Sequence, residues 1–268
     1  MPLAVCATPI GNLDDVTLRV LAALRGAQLV LCEDTRRTRL LLARYDIRAD
    51  LASYHEHNEA ERTANVLPRL RDGELIALAS DAGLPAISDP GARLIAAAVA
   101  EGLSVTVLPG PSAVETALVA SGLVSERYQF LGYLPRGEAA LGAIWEELGR
   151  WPYAAVAFES PQRLPKTLAT LASAQPHRPV AVCRELTKRF EEITRGSAAE
   201  VAERFTDPPK GEITLVFGGV ATSADVDDPR AIEAVTELVA AGVPRRHAAE
   251  LVARLTGGSR NRLYESSL

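Results

Sequence analysis

Leu75-Ile76-Ala77-Leu78-Ala79-Ser80-Asp81-Ala82-Gly83-Leu84-Pro85-Ala86-Ile87-Ser88-Asp89-Pro90-Gly91 runs from a short apolar segment directly into a loop rich in glycine and proline. The apolar part reads as a strand and the rest as a ligand loop at its end. The pattern recurs at Val105-Thr106-Val107-Leu108, which leads into Pro109-Gly110-Pro111-Ser112-Ala113. In an open α/β sheet, small molecules bind where the carboxyl ends of strands give way to loops. Two such loops can share one ligand.

Working outward, apolar runs at 3–7 and 28–32 join those at 75–79 and 105–108, and they alternate with amphipathic stretches beginning near Asp14, Arg36, Glu56, Gly91 and Ser112. That alternation predicts a parallel sheet with helical crossovers. Behind Asp14 and Asp15, which suit a helix amino end, Val16, Leu18, Leu21, Ala22 and Leu24 approximate helical spacing as far as Gly26. After Gly122 the pattern changes. A helical stretch reaches Leu148, and strand-like runs follow at 154–158, 180–183, 190–194 and 213–217. The third of these runs follows the second too closely for a helical crossover, so this sheet is expected to be mixed. Segment 221–229 is small, acidic and turn-rich, which suits a linker. Beyond it, 231–241, 245–255 and 259–268 read as three short helices separated by Gly242-Val243-Pro244 and Gly257-Gly258. The expected organisation is therefore an α/β domain over 1–118, a second over 119–222 and a helical piece over 229–268.

The length suits two lobes with real cores. Cys6, Cys32 and Cys183 lie scattered in apolar runs and read as buried reduced thiols, not as metal ligands or a disulfide framework. Neither a signal-like start nor a membrane-length apolar run is evident, so a cytoplasmic location is expected. A net charge of −5 disfavours a broadly basic nucleic-acid surface. The tail is the exception: from Arg230 onward six arginines face four glutamates, a local +2 against −7 elsewhere.

The loop Ala7-Thr8-Pro9-Ile10-Gly11-Asn12-Leu13 lacks the glycine spacing of a dinucleotide fingerprint and the Gly-Lys-Ser/Thr of a phosphate loop. Proline also withholds a backbone N–H, so a nucleoside-like ligand without phosphates fits better. Glu33-Asp34-Thr35-Arg36-Arg37-Thr38 follows the second strand. It suits either an anionic polymer at the cleft or a helix start capped by Asp34 or Thr35. His55-Glu56-His57-Asn58-Glu59 has no third ligand for a metal and reads as a polar substrate loop or a helix start. Arg184-Glu185-Leu186-Thr187-Lys188-Arg189 is a dense ionisable cluster, and Ser160 is placed to cap a helix with Pro161 at its first position. The tail is compatible with helix-turn-helix geometry, or equally with a cap that packs on the body.

Taken in order, Thr8-Pro9-Ile10-Gly11-Asn12-Leu13, Glu33-Asp34-Thr35-Arg36, His57-Asn58-Glu59, both proline-glycine loops, Phe158-Glu159-Ser160, Arg184-Glu185-Leu186-Thr187-Lys188 and Lys210-Gly211-Glu212 resemble the ribosomal RNA small subunit methyltransferase I family of the tetrapyrrole methylase superfamily. The likeness runs through nearly the whole chain. It departs at Leu84, where threonine is commoner, and at Gln162, where histidine is. The resemblance implies two α/β domains of tetrapyrrole methylase type, one mainly parallel and one mixed, with a helix-turn-helix-like extension. It further implies S-adenosylmethionine-dependent 2′-O-methylation of a cytidine ribose in the decoding region of 16S rRNA, within the rRNA or the small subunit, by a homodimer.

By that resemblance the cofactor lies between the lobes, against Pro9, Asp81, Gly83, Ile87, Ser112 and Ala113 on one side and Leu186, Gly211 and Ile213 on the other. A sulfonium is already an activated methyl donor, so positioning dominates and no metal is expected. Glu185 and Lys188 are the leading candidates to handle the hydroxyl proton or the developing alkoxide. Asp34 with Arg36 comes second, and His55 or His57 third. RNA contacts are expected at Arg37, His57, Asn58, Arg245, Arg246, Arg260 and Arg262. Two rivals remain open at this point: a methylase of porphyrin-like small molecules, and a non-catalytic RNA-binding assembly factor.

Overall fold

Strand β1 (Leu3–Cys6) and strand β4 (Ile76–Ala79) are buried at every residue, as inner strands of a sheet covered on both faces are. In the computed structural model, which describes residues 2–219, 229–256 and 259–267, they pair in parallel with Leu3 opposite Ile76. Strands β2 (Leu29–Cys32), β3 (Leu51–Ser53) and β5 (Val105–Leu108) complete a parallel sheet of order β3-β2-β4-β1-β5. Helices α1 (Leu18–Gly26) and α2 (Thr35–Arg44) cover one face through Val20, Leu24 and Leu41. The other face is closed by α3 (Glu59–Arg71) and α4 (Ala92–Ala100) through Val66, Leu70 and Leu94. Each such side chain, fully buried, contributes roughly 1.5–3 kcal/mol relative to exposure.

Because α1 leaves β1 on one face and α4 leaves β4 on the other, the neighbouring strands β1 and β4 part at their carboxyl ends and open a crevice there. Thr8 and Gly83 bridge that crevice by two backbone hydrogen bonds of 2.8 and 3.0 Å.

The second sheet holds β6 (Tyr128–Tyr133), β7 (Ala154–Glu159), β8 (Pro179–Arg184), β9 (Glu192–Ser197) and β10 (Ile213–Phe217), in the order β6-β7-β10-β8-β9. Only β6 and β7 are parallel, so the expected mixed sheet is present. Helices α6 (Glu138–Arg150), α7 (Leu164–Ala174) and α8 (Ala198–Arg204) bury one face through Trp145, Leu168 and Val201. The opposite face packs on α5 (Ala113–Ser121) through Val114, Ala117 and Leu118. A division after residue 118 thus falls inside a helix that lies against the second sheet. Ile10 of the first lobe joins this core as well.

Local details differ from the sequence reading where polar groups reorganise the chain. Leu13–Asp15 form a separate 3₁₀ turn capped by Asn12, and α1 begins only after Thr17, whose hydroxyl accepts from the Val20 N–H. Ser160 does not cap a helix headed by Pro161; its carbonyl closes a turn onto Arg163 and Leu164, and α7 starts there with proline near its amino end. The strand expected at 190–194 starts two residues later, because Lys188 and Glu191 close a turn of 3.1 Å first.

The tail is a three-helix unit of α9 (Pro229–Ala240), α10 (Arg245–Thr256) and α11 (Arg260–Ser266) around Val235, Ala249, Val252 and Leu263. Apart from Pro229, the linker expected at 221–229 lies outside the described residues, as does the Gly257-Gly258 turn. Among the described residues, no helix is long and apolar enough to cross a membrane. All three cysteines are free and buried, and burial pushes the Cys6 and Cys183 thiols up to about 12.

Candidate functional site

A cavity of about 910 Å³ lies between the lobes, at the carboxyl ends of β2, β4 and β5. Its first-lobe wall is the loop read from the sequence as a ligand loop. Backbone shape there is unusual: Ala86 (φ +70°) and Ser88 (φ +61°) occupy the left-handed region that L-residues avoid, and Gly83 (φ +74°) joins them. Such strain persists only where surrounding contacts hold it, and it concentrates at functional sites. The holding contacts are the Ser80 hydroxyl donating to the Gly83 carbonyl at 2.7 Å and the Thr8 hydroxyl donating to the Ser80 carbonyl at 3.0 Å.

The second-lobe wall sets aromatic and apolar side chains beside Glu159 and Glu212. Phe130 and Tyr133 of β6 meet Phe158 of β7 edge-to-face, with centroids 5.0 and 5.5 Å apart, and Ile213 opens β10 beside them. At its edge Gly211 (φ +101°) leaves room for Glu185: a Cβ there would meet the Glu185 Cγ at 2.5 Å. Glu185 (φ +53°) and Thr187 (φ +64°) repeat the left-handed device of the opposite wall.

Behind Gly211 and Glu212, the Lys188 Nζ donates to Glu185 Oε1 at 2.9 Å and to Glu212 Oε2 at 2.8 Å, while the Glu212 N–H donates to Glu185 Oε1 at 2.9 Å. Burial draws the Lys188 ammonium down, but the hydrogen bonds to Glu212 and Glu185 outweigh it and hold the value above that of a free lysine. The same bond from Lys188 holds the Glu185 carboxyl below its usual range. Both groups are therefore charged at neutral pH.

Asp81, Gly83, Ile87, Ser112, Ala113, Gly211 and Ile213 all line the cavity, as does Arg37, whose guanidinium lies 3.6 Å from Asp81. Pro9 and Leu186 do not. Pro9 is buried behind the wall, and Leu186 belongs to the core that joins the lobes. Their loops instead clasp one another. The Asn12 N–H donates to the Thr187 hydroxyl at 3.0 Å, and Gly11 fits so closely that a Cβ would lie 2.7 Å from the Leu186 carbonyl.

Glu185, Lys188, Asp34 and Arg36 all lie outside the cavity lining, the first two behind Glu212. Asp34 caps α2 by accepting from the Arg36 N–H and guanidinium, which draws its carboxyl down to about 2, and Arg36 projects into solvent. Asn58 also has local work: its side chain binds the His55 N–H at 2.9 Å and the Ser53 carbonyl at 3.2 Å. His57 is exposed, its ring packed edge-on against His55. Among the described residues no cluster of His, Cys, Asp or Glu has metal-binding geometry. In the tail, Arg246, Arg260 and Arg262 are exposed, whereas Arg245 donates to the Ser267 carbonyl.

Asp89, Glu115, Tyr128 and Tyr133, to which the sequence reading assigned no role, also line the cavity, as does Glu33 of the polar stretch after β2. Asp89 was in view, three residues from the left-handed Ala86 in the loop that opened the reading. Tyr128 and Tyr133 had no signal, because Gln129 and Gly132 interrupt the apolar pattern of β6. Glu115 accepts from the Ser112 hydroxyl and from the Tyr128 hydroxyl, the latter at 2.6 Å.

Residues 2–202 match the family described as Tetrapyrrole (Corrin/Porphyrin) Methylases, and residues 225–268 match the RsmI C-terminal HTH domain. A protein of Mesorhizobium japonicum named Ribosomal RNA small subunit methyltransferase I is 42% identical over 99% of this chain and 91% of its own length. One of the same name from Mycobacterium bovis is 44% identical over 98% of this chain and 93% of its own. Among solved structures, the methyltransferase CobJ is similar with a TM-score of 0.62 at 20% identity, over 82% of this chain and 95% of that one. Uroporphyrin-III C-methyl transferase from Thermus thermophilus, complexed with S-adenyl homocysteine, has a TM-score of 0.56 at 17% identity, over 81% and 96%.

Proposed function

This chain belongs to the ribosomal RNA small subunit methyltransferase I family, with the tetrapyrrole methylase fold, and on that premise we propose that its S-adenosylmethionine-dependent methylation of rRNA falls on the 2′-hydroxyl of a cytidine ribose in the decoding region. The observation that carries the reading is the cavity between the lobes. Its chemistry fits the cofactor: Phe130, Phe158 and Ile213 offer apolar surface to an adenine, while Glu33 and Asp81 offer negative charge to a sulfonium and an ammonium. Pro109 and Pro111 lack the N–H groups that a phosphate would require.

S-adenosylmethionine, when bound, supplies a methyl group already activated on sulfur. The chain must hold a hydroxyl in line with it and stabilise the charge that develops on oxygen. Lys188, kept protonated by Glu185 and Glu212, suits that second task and not the task of a base. Glu185 then acts as the positioning group that aims Lys188. Asp81, Gly83, Ile87, Ser112, Ala113, Gly211 and Ile213 contact the cofactor. Arg37 at the cavity and Arg246, Arg260 and Arg262 on the three-helix tail supply cations for phosphates. A homodimer is part of the same reading, tested by light scattering of the full chain.

The deciding experiment maps ribose methylation by mass spectrometry on small-subunit RNA from cells lacking and regaining this protein. A 2′-O-methylcytidine that disappears and returns is the expected result; unchanged decoding-region ribose methylation overturns the reading. Removal of residues 229–268 separates the rivals, since a small-molecule methylase keeps its activity without them and an RNA enzyme weakens on ribosomal particles.

A further inference from the structure

Six carboxylates line the cavity between the lobes, and four of them already have donors. Glu159 accepts from the Ser160 N–H at 2.6 Å and the Thr167 hydroxyl at 2.6 Å and pairs with Arg163. Glu115 accepts two hydroxyls. Asp81 accepts the Asp34 N–H at 2.9 Å and faces Arg37, and Glu212 pairs with Lys188. Glu33 and Asp89 are left: among the described residues neither accepts a hydrogen bond or forms a direct ion pair, and only Glu33 feels nearby cations, His55 and Arg37. A carboxylate that faces a cavity without a donor retains its full capacity to accept a proton from what enters.

Of the two, Glu33 is exposed at the end of β2, whereas Asp89 is half-buried on the coiled loop, held between left-handed Ser88 and Pro90. We propose that Asp89 is the carboxylate that accepts the proton of the incoming ribose hydroxyl. The inference rests on the methyl-transfer reading above. In the step, the hydroxyl oxygen bonds to the methyl carbon with one of its lone pairs as the O–H bond breaks. The proton passes to Asp89, and the pair of the carbon–sulfur bond leaves on sulfur.

The surroundings of Asp89 are consistent with that task. Burial first, then repulsion from Glu33 and Asp81, push its carboxyl up to about 7, where a base is both free at neutral pH and strong enough to act. From β6, the Tyr133 phenol faces it and is itself pushed up by burial and by Asp89. The nearby cations are engaged elsewhere, Arg37 with Asp81 and Arg163 with Glu159. His55 acts on Glu33 rather than on Asp89.

The test compares the full-length wild type with Asp89→Asn and Asp89→Glu, following single-turnover methylation of small subunits across pH 5.5–9 and S-adenosylmethionine binding by calorimetry. Wild-type turnover rises with pH to a plateau above about 7. Asp89→Asn lowers the plateau by on the order of 10²-fold and abolishes the rise, with cofactor affinity within about threefold; Asp89→Glu restores part of the rate and the pH limb. Glu33→Gln, which removes a repelling charge, moves the limb to lower pH. A carboxyl carbon titrating near 7 by NMR in the wild type and absent from Asp89→Asn reports the same group without turnover. Asp89→Asn turning over within threefold of wild type, keeping the limb, or losing cofactor binding tenfold overturns the proposal. If the wild type itself binds no cofactor or methylates no RNA, it is the methyl-transfer reading that fails.

Discussion

The two walls of the cavity use one backbone device for opposite ends. On the first-lobe wall, left-handed Ala86 and Ser88 coil a loop that leaves Asp89 without a partner and near two other carboxylates. Behind the second-lobe wall, left-handed Glu185 and Thr187 form a turn whose charges are ion-paired: Lys188 with Glu185 and Glu212, and Arg184 with Glu192 at 2.7 Å. Strain on one side holds an unsatisfied acid. On the other it holds an ion-paired cation in a fixed place. In the mechanism proposed above, that difference would give proton handling to the first lobe and charge stabilisation to the second.

The contrast is broken most severely by Lys188→Ala. Losing a preorganised cation costs roughly 10²–10³ in turnover, by analogy with a missing oxyanion donor. Cofactor affinity, read by calorimetry, stays within a few-fold. Turnover near wild type would remove Lys188 from the mechanism. Gly11→Ala comes next. Its Cβ would lie 2.6 Å from the Lys188 Cγ and 2.7 Å from the Leu186 carbonyl, so the loops that clasp the lobes must separate. Cofactor affinity should fall about tenfold, which is ~1.4 kcal/mol, with the circular dichroism spectrum unchanged.

How much of this was legible in the sequence follows from the same two lobes. The parallel sheet was readable because β1, β4 and their neighbours are runs of apolar residues that need both faces covered. Strand β3 was not, since Leu51–Ser53 is three residues long and half-buried. In the second lobe β6 was hidden by Gln129 and Gly132. For the site, the ordered motifs located the loops but not their partners. Asp34 and Asp81 both stand at strand ends, yet one caps a helix and the other lines the cavity. Only tertiary contact separates them, and likewise Asp89 from the five cavity carboxylates that surround or oppose it.

Asp89 also leaves a signature in stability. Its folded value of about 7 lies above the ordinary 3.8, so the folded state favours the protonated acid. That contribution is fully present below about pH 4 and is lost as pH rises through about 7. Asp89→Asn carries no such penalty. Its advantage over wild type in urea unfolding should therefore grow from pH 4 to 7 and then level off. A three-unit shift would correspond to ~4 kcal/mol; solvent screening at a partly exposed site reduces the expected gain to about 1–2 kcal/mol. A difference constant across that range would mean that Asp89 is not the group displaced.

The finest probe of the contrast is Thr187, whose hydroxyl accepts the Asn12 N–H at 3.0 Å and so ties the ion-paired turn to the opening loop of the other lobe. Thr187→Val keeps the shape and removes the acceptor. The stranded N–H is at the surface and finds water, so the loss is about 0.5–1 kcal/mol and not the larger cost of a buried orphan. Thr187→Ser keeps the acceptor and removes the β-branch, which is unfavourable at φ +64°. The two variants should therefore move unfolding midpoints in opposite directions from wild type, valine down and serine level or up. Cofactor affinity should fall two- to fivefold for valine alone. If serine weakens binding and valine does not, the methyl group and not the hydrogen bond holds the lobes together, and the clasp is one of packing.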